Sequence, residues 1–124
     1  MALNIYLVED NPLIRENLVS MLGEMANATF FGCADGEKEA IGWLSNQANS
    51  WDVAIVDLFL KQGNGLGVVH QCQSRNADQK VIVLTNYATP QIRKRCLELG
   101  ADAVFDKSND IEKLVEFCVK NGRD

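Results

Sequence analysis

The sequence is poor in the residues on which most metal and nucleophilic chemistry draws. Its one histidine, His70, lies in a helical pattern with no Cys or Asp at ligand spacing, so it reads as a surface or helix-flank residue and not as a catalytic base or metal ligand. The four cysteines, Cys33, Cys72, Cys96 and Cys118, are scattered and include no C-x-x-C pair; they read as buried free thiols, against zinc binding or redox chemistry. Positive charge is also scarce. Twelve Lys and Arg face 17 Asp and Glu, a formal net charge of −5, so the chain itself has no basic face for gripping nucleic acid or an anionic membrane, although it can still serve a DNA-binding partner. No apolar run approaches the roughly 18 residues of a membrane span, and Glu9 and Asp10 stand where a signal peptide would continue its apolar region. The expectation is a cytoplasmic protein. Repeats, low-complexity tracts and linkers are absent, and 124 residues at 47% hydrophobic and 23% charged suit one globular domain, residues 1–124.

What the chain does have is a set of short apolar runs that end in polar residues. Val53-Ala54-Ile55-Val56 leads straight into Asp57. A run of that kind predicts a strand buried on both faces, the habit of a parallel sheet flanked by helices. Leu3 to Val8 predicts a first strand ending in Glu9-Asp10. Asn11 then caps a helix with Pro12 at its first position and Ile14, Leu18, Met21, Leu22 and Met25 on its apolar face. Thr29 to Cys33 reads as a weaker strand. Asp35-Gly36 opens a helix with Ala40, Ile41 and Leu44 inward, and Ser45-Asn46-Gln47 closes it as a loop.

After Asp57, Lys61-Gln62-Gly63-Asn64-Gly65 predicts a loop, then a helix with Leu66, Val69 and Cys72 as contacts. Val81 to Leu84 is a fourth apolar strand ending in Thr85. Thr89-Pro90 starts the next helix, and Gly100 ends it. Ala103 to Phe105 is a short fifth strand leading to Asp106-Lys107. Asn109 with Glu112 has the capping-box spacing, before Ile111, Leu114, Val115 and Cys118. Five strand-then-helix units imply an α/β fold: a doubly wound five-stranded parallel sheet with helices on both faces.

In such a sheet the residues after the strands converge on one edge, where ligands bind. Glu9, Asp10, Asp57, Thr85 and Lys107 are then neighbours. Three crowded carboxylates repel unless one is protonated or a cation intervenes. An all-oxygen set completed by a backbone carbonyl and water suits magnesium, and the lack of Cys or His disfavours zinc.

These residues resemble the receiver domain of two-component response regulators over essentially the whole chain. The matching pieces are Glu9-Asp10, Asp57, Leu58 with Gly65, Leu84-Thr85, Gly100-Ala101-Asp102 and Phe105-Asp106-Lys107. The resemblance implies the flavodoxin-like receiver fold and a phosphorylation switch. Asp57 would accept a phosphoryl group from a sensor histidine kinase, a phosphotransfer protein or a small phosphodonor. Mg2+ would be held by Asp10, Asp57 and the backbone carbonyl of Phe59, with Glu9 engaged through water. Lys107 would pair with Asp57 and then with the phosphoryl group. Thr85 would move to another phosphoryl oxygen and Phe105 would rotate inward, altering the surface of the fourth helix, fifth strand and fifth helix for an output domain, a downstream partner or homodimerisation. The domain would be no enzyme beyond its own phosphorylation and dephosphorylation.

The chain departs from that family's pattern in three places. Lys61 stands where proline is usual, which implies a more mobile loop. Asn86 stands where a small residue is common, which implies restricted access to the phosphoryl group. Phe105 lacks the hydroxyl of the frequent tyrosine, so its switch works by packing. Phe59 and Tyr87, each two positions past a site residue, are expected to flank the acyl phosphate and hinder the attacking water. Among rival readings, a haloacid-dehalogenase-type phosphatase would need an aspartate at position 59, and a nucleotide- or flavin-binding domain would need a glycine-rich first turn in place of Glu9-Asp10-Asn11-Pro12. The alternative that stays open is an interaction module of receiver architecture that does not depend on phosphorylation.

Overall fold

Successive side chains leave a strand on opposite faces, so a strand that is apolar throughout needs cover on both. In a computed structural model describing residues 3–46 and 50–121, β1 (Leu3–Val8) sends Leu3, Ile5 and Leu7 to one face and Tyr6 and Val8 to the other. β3 (Val53–Val56) and β4 (Lys80–Thr85) alternate in the same way. The first face packs against α1 (Pro12–Met25) and α5 (Ile111–Lys120) through Leu18, Leu22, Leu114 and Cys118. The second packs against α2 (Glu37–Leu44), α3 (Gly65–Gln71) and α4 (Pro90–Glu98) through Ala40, Val68, Val69 and Cys96. With β2 (Ala28–Ala34) and β5 (Ala103–Asp106), the strands form one parallel sheet in the order β2-β1-β3-β4-β5. The predicted doubly wound architecture is therefore present. In this order, chain progression reverses between β1 and β3, and a crevice opens there at the carboxyl ends of the strands.

Local chemistry accounts for most boundaries. Asn11 Oδ1 accepts hydrogen bonds from the amides of Leu13 and Ile14 at 2.9 and 3.2 Å, with Pro12 first in the helix. Thr89 Oγ1 accepts from Ile92 N at 3.2 Å, again before a proline. Gly100, at φ 108°, follows α4 in a conformation that a side chain would strain.

Four expectations need correction. Met25, expected on the apolar face of α1, is the helix's last residue and is 62% exposed. The Asn109–Glu112 capping box does not form: Asp110 is the N-cap of α5, and Asn109 N instead donates to Asp106 Oδ1 at 3.1 Å. The Asp110 carboxylate faces Asp106 N and Arg93, a charge-assisted bond stronger than a neutral cap. Cys33 is exposed, unlike the other three cysteines, because it lies on the edge strand β2, which is only partly covered. Gly65, expected in the loop, is the first residue of α3, with Asn64 Oδ1 accepting from Leu66 N at 2.7 Å. Gln47 of the predicted loop lies outside the described residues. His70 is exposed at the end of α3, as expected.

Candidate functional site

The crevice between β1 and β3 collects the acids. Parallel pairing of Val8 with Val56 sets the residues that follow side by side, and Asp57 N donates to Val8 O at 2.9 Å. Glu9 is held from the other side, its amide donating to Ala34 O at 3.1 Å. Glu9 is 2% exposed and Asp57 5%, while Asp10 is half-buried at the mouth. Each of the three offers a carboxylate oxygen, and these oxygens lie within 4.8 Å of one another. α3 approaches so closely behind Asp57 that a Cβ at Gly65 would collide with the Asp57 carbonyl oxygen.

Lys107, just past β5, reaches into this cluster. Its Nζ lies 2.7 Å from Glu9 Oε1 and 3.2 Å from Asp57 Oδ2, so the closer partner of the amine is Glu9. Backbone amides tend the remaining oxygens: Asn11 N lies 3.2 Å from Glu9 Oε2, Phe59 N 3.3 Å from Asp57 Oδ1 and Lys61 N 2.6 Å from Asp10 Oδ2. The last bond gives the Lys61 backbone a role in the site. A proline there has no amide to give, whereas Lys61 ties its loop to Asp10.

Burial pushes the Asp57 carboxyl up to about 6, and the charge of Glu9 adds to this. The charge and hydrogen bond of Lys107 and the amide of Phe59 oppose it without cancelling it. For Lys107 burial works to lower the pKa, but the Glu9 hydrogen bond and the charges of Asp57 and Glu9 prevail and raise it. One ammonium thus serves two buried carboxylates with a third at the rim. The donor set is all oxygen, with no Cys or His, and it fits a hard divalent cation.

The other expected residues surround this centre. Thr85 is fully buried at the end of β4; its hydroxyl accepts from Tyr87 N at 3.1 Å, and its carbonyl accepts from Lys107 N at 2.9 Å. Phe59 and Tyr87, 57% and 60% exposed, meet edge to face with ring centroids 5.0 Å apart. Phe105 is half-buried and packs edge-on against Phe117 at 6.0 Å. Asn86 is exposed beside Lys107, in a cleft of about 370 Å³ between α1 and α5.

Two groups near the site escaped sequence reasoning. Glu37, first in α2, accepts from Asn64 N at 2.7 Å and steadies the loop after Asp57. Arg93 of α4 binds Asp110 at 3.0 Å. Neither pairing follows a helical spacing, so no local signal marks it.

With this geometry the chain can be compared with known proteins. Residues 5–118 match the response regulator receiver domain family, and the chain belongs to it. It is a receiver domain of the two-component systems, whose response regulators work with histidine kinases and output domains. It is 33% identical over 111 residues to a Pseudomonas aeruginosa protein provisionally named a transcriptional regulator, covering 90% of this chain and 52% of that protein. It is 30% identical over 112 residues to a cyclic di-GMP phosphodiesterase of Thermotoga maritima, covering 90% of this chain and 29% of the other. The chain thus spans about half or less of the length of these relatives. Its fold matches a Burkholderia pseudomallei response regulator, solved with a phosphorylated aspartic acid, a calcium ion and citrate, at a TM-score of 0.76 and 24% identity, over 91% of this chain and 64% of that one. Among the described residues no helix is long and apolar enough to cross a membrane.

Proposed function

We propose that Asp57 is the phosphoacceptor of a receiver switch formed by residues 1–124. The observation that carries this reading is a buried aspartate at the sheet's switch point, bonded to Lys107 and crowded by Glu9 and Asp10. An Asp57 carboxylate oxygen attacks phosphorus, the bond from phosphorus to the imidazole nitrogen of a kinase or phosphotransfer histidine breaks, and an acyl phosphate forms. A small donor such as acetyl phosphate loses its P–O bond in the same way. Hydrolysis later returns Asp57 and inorganic phosphate, so the domain turns over no substrate beyond its own phosphoryl group.

Asp10, Asp57 and the Phe59 carbonyl would hold Mg2+, with Glu9 engaged through water; the ion supplies positive charge that neutralises phosphoryl oxygens and lines up the reactants. Lys107 sits where it can leave the Asp57 oxygen for a phosphoryl oxygen while keeping Glu9. Thr85 gives up the Tyr87 amide to donate its hydroxyl to another. These moves favour a second arrangement of the α4–β5–α5 surface, with Phe105 following by packing against α5. Phe59 and Tyr87, in mutual contact, shield the acyl phosphate from water and lengthen its life. The output is a separate domain, a partner protein or a second copy of the chain, with no direct nucleic-acid contact by this acidic domain and a cytoplasmic setting.

Intact-mass measurement after incubation with acetyl phosphate and magnesium tests the reading. One acid-stable, base-labile phosphoryl adduct is expected on the wild-type protein, and none on Asp57→Asn or without metal. No adduct from either the small donor or a cognate kinase would leave a phosphorylation-independent interaction module as the function.

A further inference from the structure

Arg93 belongs to the basic run Arg93-Lys94-Arg95 on α4. Lys94 and Arg95 are exposed, but the Arg93 guanidinium folds back onto the domain and uses three donors. Its Nε donates to the Ala88 carbonyl at 3.0 Å, one terminal nitrogen to the Val104 carbonyl at 2.8 Å, and the other to Asp110 Oδ2 at 3.0 Å. One planar group therefore joins the β4–α4 loop, β5 and the start of α5, a reach that the fixed fork of arginine permits and lysine does not.

The three anchors differ in stiffness. Val104 is inside a strand, paired with Val83. Asp110 also accepts from Asp106 N at 2.9 Å, and Asp106 Oδ1 accepts from Ser108 N at 2.7 Å and Asn109 N at 3.1 Å. The turn that carries Lys107 is thus closed on itself, and Arg93 is bound to it. Ala88, itself partly buried against the core, lies in the connection just after Thr85, whose Asn86, Tyr87 and Thr89 are exposed and where the neighbouring bonds are local: Tyr87 N to Thr85 Oγ1 at 3.1 Å and Thr89 N to Tyr87 O at 2.8 Å. A shift of Thr85 toward a phosphoryl group carries residues 86–88 with it. The Ala88 carbonyl then leaves a donor that β5 and Asp110 hold in place.

We propose that Arg93 is a positioning residue of the switch, holding the Thr85 loop in its resting place against the Lys107 turn so that this loop is released only when the bond to Ala88 breaks. This rests on the reading of Asp57 as phosphoacceptor. A contact present in the resting state and absent from the activated one biases the equilibrium between them, and its removal shifts the population toward the state that binds the phosphoryl group.

The test is titration of the whole domain with beryllofluoride, a phosphoryl mimic, in excess magnesium, followed by backbone amide resonances. Arg93→Ala is expected to bind about fivefold more tightly than the wild-type protein. A purely structural role lowers Tm and leaves the affinity alone, so unchanged or weaker binding overturns the proposal. Should that variant fail to fold, Asp110→Asn keeps an acceptor for Asp106 N but loses the ion pairs with Arg93 and Lys113, and Lys113→Ala controls for the second; binding tighter than in Lys113→Ala is expected, and unchanged or weaker binding overturns the idea. Asp57→Asn is the control that must not bind. If the wild-type protein does not bind, the phosphoacceptor reading falls and this one with it; if it binds without tightening in the variant, only the Arg93 role falls.

Discussion

Two buried aspartates, Asp57 and Asp110, are 5% and 7% exposed, yet their surroundings act on them in opposite directions. Asp57 shares one ammonium with Glu9 and has its pKa pushed up to about 6, burial being the main cause. Asp110 accepts the Asp106 amide and the Arg93 guanidinium, and these hold its carboxyl below the usual range. Exposure is similar, but the causes differ: desolvation dominates at Asp57, whereas at Asp110 the hydrogen bonds from Asp106 N and Arg93 outweigh it. The satisfied site locks a turn. Asp57 keeps a raised carboxyl pKa although Lys107 and the Phe59 amide bond its two oxygens, and such raised values are common among functional carboxylates.

The sharpest way to break this comparison is to neutralise Asp57. Asp57→Asn should abolish the phosphoryl adduct and also stabilise the metal-free protein at pH 7. The sign follows from the raised pKa: the folded state holds the Asp57 proton more tightly than the unfolded chain, so ionisation costs stability fully above about pH 6, and the cost disappears as pH falls through the ordinary aspartate range. A gain on the order of 2 kcal/mol at pH 7, shrinking toward pH 4, should appear in denaturant melts. A gain independent of pH would contradict the account.

Asp110 should behave in the opposite sense. Asp110→Asn should lower Tm at pH 7, because a depressed carboxyl pKa contributes stability above its unfolded value that is lost as pH falls through the folded one. Melts from pH 7 into strong acid should therefore converge for variant and wild-type protein.

A smaller effect concerns the rim of the acidic site. Lys61→Pro removes the amide that orients Asp10 and should weaken magnesium binding about tenfold by calorimetry, the usual cost of losing a partner that orients a ligand. Lys61→Ala keeps the amide and should match the wild-type protein; equal loss in both variants would point to the lysine charge. The smallest effect is expected at the aromatic pair. Changing both Phe59 and Tyr87 to serine should speed loss of the phosphoryl group severalfold, measured as decay of the adduct, with little change in Tm because both rings are exposed. An unchanged decay rate would remove them from the mechanism.

Much of this molecule was legible in the chain because its physics is local. A short run such as Val53–Val56, bounded by turn signals, reads as a strand covered twice, Asn11-Pro12 and Thr89-Pro90 start helices through bonds a few residues long, and a parallel sheet gathers Glu9, Asp10, Asp57, Thr85 and Lys107 at one edge. The misreadings share a different cause. Asn109–Glu112 had the right spacing for a cap, but Asp110 met a distant guanidinium that a sequence pattern cannot announce. The bond from the Lys61 amide to Asp10 was equally hidden, because it belongs to the backbone and not to a side chain.

The order of short-range patterns along the chain determined the fold class and the identity of the residues at the strand ends. Tertiary structure alone decided which charges answer which: that Lys107 lies nearer Glu9 than Asp57, that Arg93 spans from Ala88 to Asp110, and that Phe59 touches Tyr87. Periodicity and capping act over a turn of helix or a pair of residues, whereas ion pairing and desolvation depend on distances between segments that only the packed chain brings together.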